Sequence, residues 1–195
     1  MIWAIILAAG ESKRMGEPKL LLSFGDKTII ETVVNNTIES KTDKSLVVLG
    51  SRAVKIREKI KEFPVKISVN SKFRAGMLSS IQWGFETLPE NTLAALIILG
   101  DQPSIHSSII NRIIDAYKQT GKGIVIPVYR KKRGHPILID IKYRDEVRQL
   151  DHGTGLCALV HNHTEDILEV EVDSPGILKD IDTVEDYNEQ IKCSF

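Results

Sequence analysis

Short apolar runs alternate along the chain with segments whose apolar residues recur every three or four positions. Uninterrupted apolar runs of strand length are typical of strands that are buried on both faces of a parallel sheet. A strict alternation of apolar and polar residues indicates a strand with one exposed face. On these patterns we predict strands at 1–7, 45–49, 65–69, 93–99, 123–128, 137–139 and 167–172.

The segments between the runs carry helix signals. Thr28 followed by Glu31 forms a capping-box pattern before an apolar stretch, and the isoleucines of 109–114 fall on one helical face. Helices are predicted at 29–38, 52–60, 77–88, 104–117, 142–150 and 156–160, with a last one after the Asp180-Ile181-Asp182-Thr183 segment. The alternation predicts an α/β fold, a mostly parallel sheet with helices on both faces.

Composition limits the function classes. The chain has 195 residues with 26 Lys+Arg and 26 Asp+Glu, so its formal net charge is zero. This balance argues against a nucleic-acid partner bound by broad phosphate neutralisation. Without repeats or linkers, residues 1–195 are interpreted as one domain. The first apolar run is too short for a membrane span, and Cys157 and Cys193 have no metal-ligand spacing, so we expect no membrane partner and a cytoplasmic location.

The loop after the first strand is the strongest candidate for a binding site. Small residues follow the apolar run, and Lys13, Arg14 and Lys19 bring three positive charges. Ligands of open α/β sheets bind where strands end, so the loop predicts a nucleotide site with the cations on its phosphates. The alternative is an ordinary turn with exposed cations. The loop matches neither the phosphate-binding P-loop nor the three-glycine dinucleotide fingerprint.

Three carboxylates could serve a metal. Asp101 directly follows the apolar run 93–99, and a hard oxygen ligand there suits Mg²⁺ beside a triphosphate. The alternative is that Asp101 caps the next helix, but Ser104 is already a suitable N-cap. Asp180 and Asp182 could be N-caps of the last helix, or one of them could be a second metal ligand if the C-terminal segment folds back over the sheet.

Among the histidines, His135 is singled out because it lies between Gly134 and Pro136 at a turn into a strand. It is either a substrate contact or a satisfied turn residue. His106, His161 and His163 have no ligand spacing and are interpreted as surface residues. No Ser/His/Asp set or catalytic cysteine can be argued from spacing.

Several motifs together resemble those of a known family. They are Leu7-Ala8-Ala9-Gly10-Glu11-Ser12-Lys13-Arg14-Met15-Gly16-Glu17-Pro18-Lys19, Gly76-Met77-Leu78-Ser79-Ser80-Ile81, Gly100-Asp101-Gln102-Pro103, Gly134-His135-Pro136 and 180–187. In this order they resemble the MobA-like nucleotidyltransferases, and within them the molybdenum cofactor cytidylyltransferases. The resemblance extends over almost the whole chain.

The resemblance implies a Rossmann-like fold and transfer of a nucleotidyl group from an NTP to a phosphorylated acceptor, with release of pyrophosphate. Carried over residue by residue, it implies that Arg14 and Lys19 hold the phosphates, with Lys19 near the α-phosphate, that Ser80 helps to read the base and that Asp101 binds Mg²⁺. Asp182 would be the second metal ligand. The nucleotide would further contact Leu7, Ala8, Ala9 and Gly10, the last three approaching its base and sugar through their backbone.

The resemblance also suggests the substrates. Guanylyl-transferring relatives typically have a glycine in the pair after Leu7, so Ala8-Ala9 is similar to the cytidylyl type and implies CTP. The implied acceptor is a molybdopterin-type cofactor, and a molybdoenzyme is a candidate partner. One departure is Gly155, where the family often has an arginine. The alternatives are a superfamily enzyme with a sugar phosphate or alcohol phosphate as acceptor, and a non-catalytic nucleotide-binding regulator or cofactor chaperone.

Overall fold

A central mixed β-sheet organises the chain. The computed structural model describes residues 1–12 and 14–193; Lys13, counted above among the loop cations, and the side chain of Cys193 lie outside the described part. The strands are β1 (Ile2–Ala8), β2 (Ser23–Phe24), β3 (Lys27–Thr28), β4 (Lys44–Leu49), β5 (Lys66–Val69), β6 (Ala94–Leu99), β7 (Ile124–Tyr129), β8 (Lys132–Arg133), β9 (Ile137–Asp140) and β10 (Ile167–Glu171).

Eight of these strands share one sheet in the order β10-β7-β9-β6-β1-β4-β5, with β8 paired to β7. The pairs of β1 with β4 and β6, of β4 with β5 and of β10 with β7 are parallel, whereas β9 runs antiparallel to both of its neighbours. The short strands β2 and β3 form a separate hairpin. The predicted mostly parallel sheet is confirmed.

Helices cover both faces of the sheet. They are α1 (Ile29–Ile38), α2 (Ala53–Ile60), α3 (Met77–Thr87), α4 (Ser107–Thr120), α5 (Arg144–Gln149), α6 (Leu156–Asn162) and α7 (Val184–Cys193). Helices α1, α2 and α4 pack their apolar residues on one face, and α3, α5 and α6 on the other. The predicted capping box at the start of α1 is present: Thr28 accepts from the Glu31 amide, and the Glu31 carboxylate accepts from the Thr28 amide.

Strand β1 is the centre of the core. Its Ile2, Ala4 and Ile6 side chains contribute to the α1/α4 side, while Trp3 and Ile5 contribute to the α3 side. Because successive side chains of a strand point to opposite faces, an unbroken apolar run is what a strand covered on both sides requires.

One helix start differs from the prediction. Helix α4 begins at Ser107 and not at Ser104, and its N-cap residue, His106, makes no side-chain capping hydrogen bond. The Ser104 hydroxyl instead donates to the side-chain oxygen Oε1 of Gln190 at 3.0 Å, which connects the loop after β6 to α7. The argument that Ser104 caps this helix is therefore wrong.

The carboxyl ends of β1, β4 and β6 lie together at one edge of the sheet. Gly100 follows β6 there, and its amide donates to the Leu7 carbonyl at 3.0 Å. A Cβ at Gly100 would lie 2.7 Å from that carbonyl oxygen, so a side chain would push apart the two loops that follow β1 and β6. Among the described residues no helix is both long and apolar enough to span a bilayer.

The packing of α3 on β1 gives a stability prediction at Gly84. A Cβ at this position would lie 2.7 Å from Cγ2 of Ile5, a side chain with no exposed surface in the middle of the core. Replacing an exposed helical glycine by alanine stabilises by about 1 kcal/mol, but overpacking a rigid core costs about 1–3 kcal/mol. We expect Gly84→Ala to lower the free energy of unfolding, measured by chemical denaturation.

The matched control is the same change in an Ile5→Ala background. With the Ile5 methyl groups gone, the added Cβ has room, and Gly84→Ala should then stabilise the protein through helix propensity. If Gly84→Ala stabilises the chain in both backgrounds, α3 does not approach β1 as closely as described.

Candidate active site

The first loop enters the site because two of its side chains are anchored in the core. Met15 and Leu20 are buried on the α1/α4 side of the sheet, and the Lys19 amide donates to the Ser12 hydroxyl at 3.2 Å. Lys19 begins a short 3-10 turn, 19–21. With its backbone fixed in this way, the Lys19 side chain extends over the carboxyl ends of β1 and β6.

Lys19 bridges two carboxylates that are distant in sequence. Its Nζ lies 2.6 Å from Oδ2 of Asp101 and 2.9 Å from Oδ1 of Asp182. Arg14 reaches the other oxygen of Asp182, with Nη2 2.9 Å from Oδ2. Two cations and two anions thus form one network. These four residues, with Leu7, Ala8 and Gly10 among others, line a cleft of about 380 Å³, the charged cleft.

The network shifts the pKa values of its members. Burial would lower the pKa of the Lys19 ammonium, but the charges and hydrogen bonds of Asp101 and Asp182 outweigh it and raise that pKa above its usual value. The hydrogen bond and charge of Lys19, helped by Arg14, lower the pKa of Asp182 despite partial burial. The Lys19–Asp182 pair is therefore ionised at neutral pH. Only 12% of the Lys19 side chain is exposed, against 71% for Arg14.

The C-terminal segment crosses the carboxyl end of β6, which brings Asp182 to Lys19. The Ile181 amide donates to the Asp101 carbonyl at 3.1 Å, and the His135 amide donates to the Ile177 carbonyl at 3.0 Å. Ile177 and Ile181 are both buried in the core. Apolar anchors and backbone hydrogen bonds therefore hold this segment in place.

Neither aspartate of the segment caps the last helix. Thr183 does so: its hydroxyl accepts from the Asp186 amide at 3.1 Å, and the Asp186 carboxylate accepts from the Thr183 amide at 2.8 Å. The N-cap interpretation of Asp180 and Asp182 is therefore wrong. The segment instead folds back over the sheet, as the alternative expected, and brings the Asp182 carboxylate to the same Lys19 ammonium that Asp101 contacts.

Gln102 was not singled out from the sequence. It is almost completely buried, and its Nε2 donates to Oδ1 of Asp180 at 2.6 Å. Burial, with the charge of Asp101, raises the pKa of Asp180 above its usual value, against the effect of this hydrogen bond. Its long-range contact with Asp180, which the motif itself does not show, makes Gln102 one of the residues that connect the loop after β6 to the C-terminal segment.

A second cavity, of about 410 Å³, adjoins the charged cleft and is called here the Ser80 cavity. It is lined by Ala9, Met77 and Ser80 among others, and it shares Leu7, Gly10, Asp101 and Asp182 with the cleft. The Ser80 hydroxyl accepts from Nδ2 of buried Asn70 at 3.1 Å. Asn70 was also missed by sequence reasoning, although an amide directly after a strand end was a usable signal.

The two alanines of the first loop do not line the same space. Ala9 lines the Ser80 cavity, whereas Ala8 is fully buried, packs with the α1/α4 side of the core and borders the charged cleft. Of the Ala8-Ala9 pair that resembles the cytidylyl type, only Ala9 therefore lines the cavity that contains Ser80.

His135 lies between the Ser80 cavity and a third, larger one of about 690 Å³, called here the Cys157 cavity. Met77 and His135 belong to both. Burial lowers the pKa of His135, although the charge of Asp101 opposes the shift, so His135 is neutral at pH 7. Of the three histidines interpreted as surface residues, His106 and His161 are exposed. His163 is half-buried, and its Nε2 lies 2.6 Å from Oε2 of Glu146.

The donor set fits a hard divalent cation held jointly with a phosphate ligand. Asp101 and Asp182 offer carboxylate oxygens, and among the described residues no group of three or more His, Cys, Asp or Glu side chains could hold a metal. Mg²⁺ is commonly held by one or two carboxylates, water and substrate phosphates rather than by an all-protein cage. Asp101 and Asp182 fit the first of these arrangements, two carboxylates that leave room for water and substrate phosphates.

Comparison with known proteins identifies the family. The model of the MobA-like NTP transferase domain matches residues 4–168, which include Lys19 and Asp101. The chain belongs to this family. The match ends before Asp182, the residue that completes the charged network.

Two curated relatives cover nearly the whole chain. The molybdenum cofactor cytidylyltransferase of Escherichia coli (strain K12) is 26% identical over 186 residues, 94% of this chain and 92% of that protein. The nicotine blue oxidoreductase of Paenarthrobacter nicotinovorans is 27% identical over 195 residues, 94% of this chain and 93% of that protein. Relatives of equal similarity thus bear the names of two different reactions.

A solved structure agrees with the fold. Protein Rv0371c of Mycobacterium tuberculosis H37Rv superposes with a TM-score of 0.88 at 26% identity, covering 98% of this chain and 97% of that one. A second structure of Rv0371c is a complex with manganese, with a TM-score of 0.82 at 25% identity, covering 98% and 97% of the two chains. These neighbours agree with the Rossmann-like fold that the motifs imply.

The Gln102–Asp180 hydrogen bond gives a prediction for this part of the site. Gln102→Leu removes the buried amide that donates to the Asp180 carboxylate, and the loss of this hydrogen bond to a charged group should lower the free energy of unfolding by about 1.5–3 kcal/mol. Asp180→Asn keeps an oxygen that can accept from Gln102 and removes a charge that Asp101 opposes, so it should cost less than Gln102→Leu. Chemical denaturation of both variants measures the difference. Equal stabilities would show that this bond does not hold the C-terminal segment.

Proposed function

We propose that this protein is a metal-dependent nucleotidyltransferase that transfers CMP from CTP to a molybdopterin-type cofactor and releases pyrophosphate. The observation that carries the proposal is the network of Lys19, Arg14, Asp101 and Asp182 at the carboxyl ends of the central strands. It combines cations for a triphosphate with carboxylates for a metal, as phosphoryl-type transfer requires. The proposal takes residues 1–195 as a single domain.

In this proposal each charged side chain has a separate task. Lys19, the most deeply placed cation, approaches the α-phosphate, and Arg14 at the mouth of the cleft holds the phosphates that leave. Ala8, Ala9 and Gly10 contact base and sugar through backbone groups, alongside Leu7. Close approach is feasible because no heavy atom lies within 4 Å of a Cβ built on Gly10.

The reaction balances without a covalent enzyme intermediate. A phosphate oxygen of the acceptor forms a bond to the α-phosphorus, and the bond between the α-phosphorus and the bridging oxygen breaks. The electron pair of that bond leaves with pyrophosphate. Negative charge grows on the bridging and equatorial oxygens, where the Lys19 and Arg14 charges stabilise it, and positioning of the two substrates supplies most of the remaining rate.

Asp101, with Asp182 as the second ligand, would hold Mg²⁺ in this reaction. The bound ion would neutralise charge on the triphosphate and act as a Lewis acid at its oxygens. Both carboxylates are already aimed at one point, since a single ammonium contacts them at 2.6 and 2.9 Å. Support for a divalent cation also comes from Rv0371c, for which a manganese complex is described.

The choice of base rests on the Ser80 cavity. Ser80 is held by Asn70 and can read a base edge through its hydroxyl, while the methyl group of Ala9 narrows the space that a purine would need. One methyl group in a shaped pocket is worth about 10- to 200-fold in discrimination. CTP is therefore the proposed donor, as in the E. coli relative by its name.

The acceptor is assigned to the Cys157 cavity. It continues from the Ser80 cavity past His135 and Met77, so an acceptor there would present its phosphate to the charged cleft. Its lining is largely apolar, with Leu78, Ile81 and Ile126 among others, and Arg133 and His152 contribute polar groups. That combination suits a phosphate on a bulky, partly apolar body better than a small polyol phosphate, and so favours a molybdopterin-type cofactor. The molybdoenzyme partner stays a prediction.

The same network distinguishes this proposal from two of its three alternatives. A regulator or chaperone that only bound nucleotide would not need two carboxylates aimed at one cation. The name of the second relative suggests a hydride-transferring enzyme, but hydride transfer does not require two carboxylates that contact one cation either. A superfamily enzyme with a sugar phosphate or alcohol phosphate as acceptor shares the network, and differs only in what the Cys157 cavity admits.

A pyrophosphate-release assay tests the proposal. The protein is incubated with each NTP, Mg²⁺ and either molybdopterin-type cofactor, a sugar phosphate or an alcohol phosphate. We expect release with CTP and the molybdopterin-type cofactor, with CTP preferred over GTP by about 10- to 200-fold in kcat/KM. Release only with another acceptor would favour the superfamily alternative, and nucleotide binding without release on any acceptor would favour the regulator.

Asp101→Asn serves as the mechanistic control in this assay. It should lower turnover by about 100- to 1,000-fold, the usual effect of removing one group that stabilises a transition state, in a variant that thermal unfolding shows to be folded, since Lys19 keeps Asp182 as its partner. The matched variant is Asp115→Asn, which removes the partner of Lys41 at the other end of the sheet and should leave turnover unchanged. Near-normal turnover of folded Asp101→Asn would contradict the metal role.

Modification of Cys157 tests the acceptor cavity separately from the nucleotide site. Cys157 is an exposed free thiol on α6 that lines the cavity. In a Cys193→Ser background, a bulky maleimide on Cys157 should block acceptor-dependent pyrophosphate release and leave CTP binding, measured by calorimetry, intact. Cys157→Ser treated with the same reagent is the control. Unchanged turnover of the modified protein would place the acceptor elsewhere.

A further inference from the structure

The ammonium of Lys19 and the proposed metal have the same ligands. Lys19 Nζ contacts Oδ2 of Asp101 and Oδ1 of Asp182 at hydrogen-bonding distance. We infer that in the nucleotide-free protein Lys19 occupies the position of the divalent cation, so that the metal is admitted with the nucleotide and not before it. The inference rests on the proposed function for the existence of a metal position at these carboxylates.

Sterics and charge make the two occupants exclusive. A hard divalent cation would sit about 2.0–2.1 Å from a carboxylate oxygen if it were Mg²⁺, on the oxygen atoms that now accept from the ammonium. Both occupants are positive and would share the same two carboxylates, so adding the metal without moving Lys19 would bring like charges together in a partly buried cleft. A metal arriving alone must therefore break both Lys19 contacts.

Lys19 can leave by side-chain rotation only. Its backbone amide is bonded to the Ser12 hydroxyl, and the neighbouring Leu20 is buried in the core, so the loop cannot swing away as a whole without loss of packing. A lysine side chain has four rotatable bonds, and the charged cleft that Lys19 lines offers space for an anion toward which the ammonium could turn. Access of the metal therefore depends on movement of the Lys19 side chain and not of the loop.

A triphosphate supplies what the metal alone cannot. Its oxygens offer Lys19 and Arg14 new anionic partners, which frees Asp101 and Asp182 for the cation. The same oxygens add ligands for the cation, which the two carboxylates by themselves lack. By linkage, the metal and the nucleotide must then raise each other's affinity by the same factor. The protein would thus show weak metal binding on its own and strong binding together with nucleotide.

Direct measurement of Mn²⁺ binding tests this inference without any turnover. Free Mn²⁺ is followed by electron paramagnetic resonance in titrations of the natural protein, Lys19→Met and Lys19→Gln, with and without a CTP analogue whose α,β-bridge cannot be cleaved. Lys41→Met is the matched control, because Lys41 also pairs with an aspartate, Asp115, at 2.6 Å, but lies before β4 at the other end of the sheet.

Without nucleotide, we expect Lys19→Met to bind Mn²⁺ about tenfold or more tightly than the natural protein, since removing a competing buried charge is worth at least one order of magnitude. Lys19→Gln should show the same direction, and Lys41→Met no change. With the analogue, the natural protein should gain Mn²⁺ affinity and the advantage of Lys19→Met should shrink. Asp101→Asn introduced into Lys19→Met should abolish the gain, which places the ion at this site.

Two outcomes would overturn the inference and are distinguishable from failure of the proposed function. If the natural protein binds Mn²⁺ at Asp101 without nucleotide as tightly as folded Lys19→Met and Lys19→Gln do, Lys19 does not exclude the metal, although the metal role of Asp101 stands. If no variant binds Mn²⁺ even with the analogue, the metal site of the proposed function fails together with this inference. Thermal unfolding of each variant confirms that it is folded.

Discussion

The shared contact of one ammonium with two carboxylates is the interaction on which the site depends. Lys19, Asp101 and Asp182 come from the first loop, the end of β6 and the C-terminal segment, and no two of them are neighbours in sequence. Removing a partner from a partly buried ion pair leaves a charge without compensation, which costs far more than an exposed pair contributes. These ion pairs therefore join three segments, which buried side chains and backbone hydrogen bonds already position, at the place where a charged substrate would enter.

The sequence was sufficient for the part of this arrangement that follows from periodicity. The apolar runs of β1 and β6 predicted two buried strands of one mostly parallel sheet, and parallel strands bring their carboxyl ends to the same edge. That reasoning was enough to place the loop after β1 and Asp101 at one edge, whereas the direct pairing of the two strands is known only from the structure. The capping box of Thr28 and Glu31 was equally readable, because it is a local pattern whose hydrogen bonds form within one helical turn.

The features that sequence reasoning missed depend on contacts between distant residues. Ser104 has the right chemistry for an N-cap, but its hydroxyl is engaged by Gln190 of α7, and α4 begins three residues later. Thr183 was available as the cap of α7, and that frees Asp182 for Lys19. Several polar residues near a helix start have similar propensities to be its N-cap, and tertiary hydrogen bonds determine which of them caps the helix. Gln102 and Asn70 were missed for the same reason, since their partners lie 78 and 10 residues away.

The division between what the family fixes and what it leaves open has a physical basis. Relatives with names as different as a cytidylyltransferase and an oxidoreductase share about a quarter of their residues with this chain. One fold can carry sites for many different reactions. The reaction must then reside in groups that no packing argument demands. A half-buried lysine facing two aspartates is such a group: it contributes little to stability that an apolar core could not supply better, and only together with Arg14 do its charges balance, until a phosphate or a metal arrives. Its presence is therefore better explained by a charged ligand than by the fold.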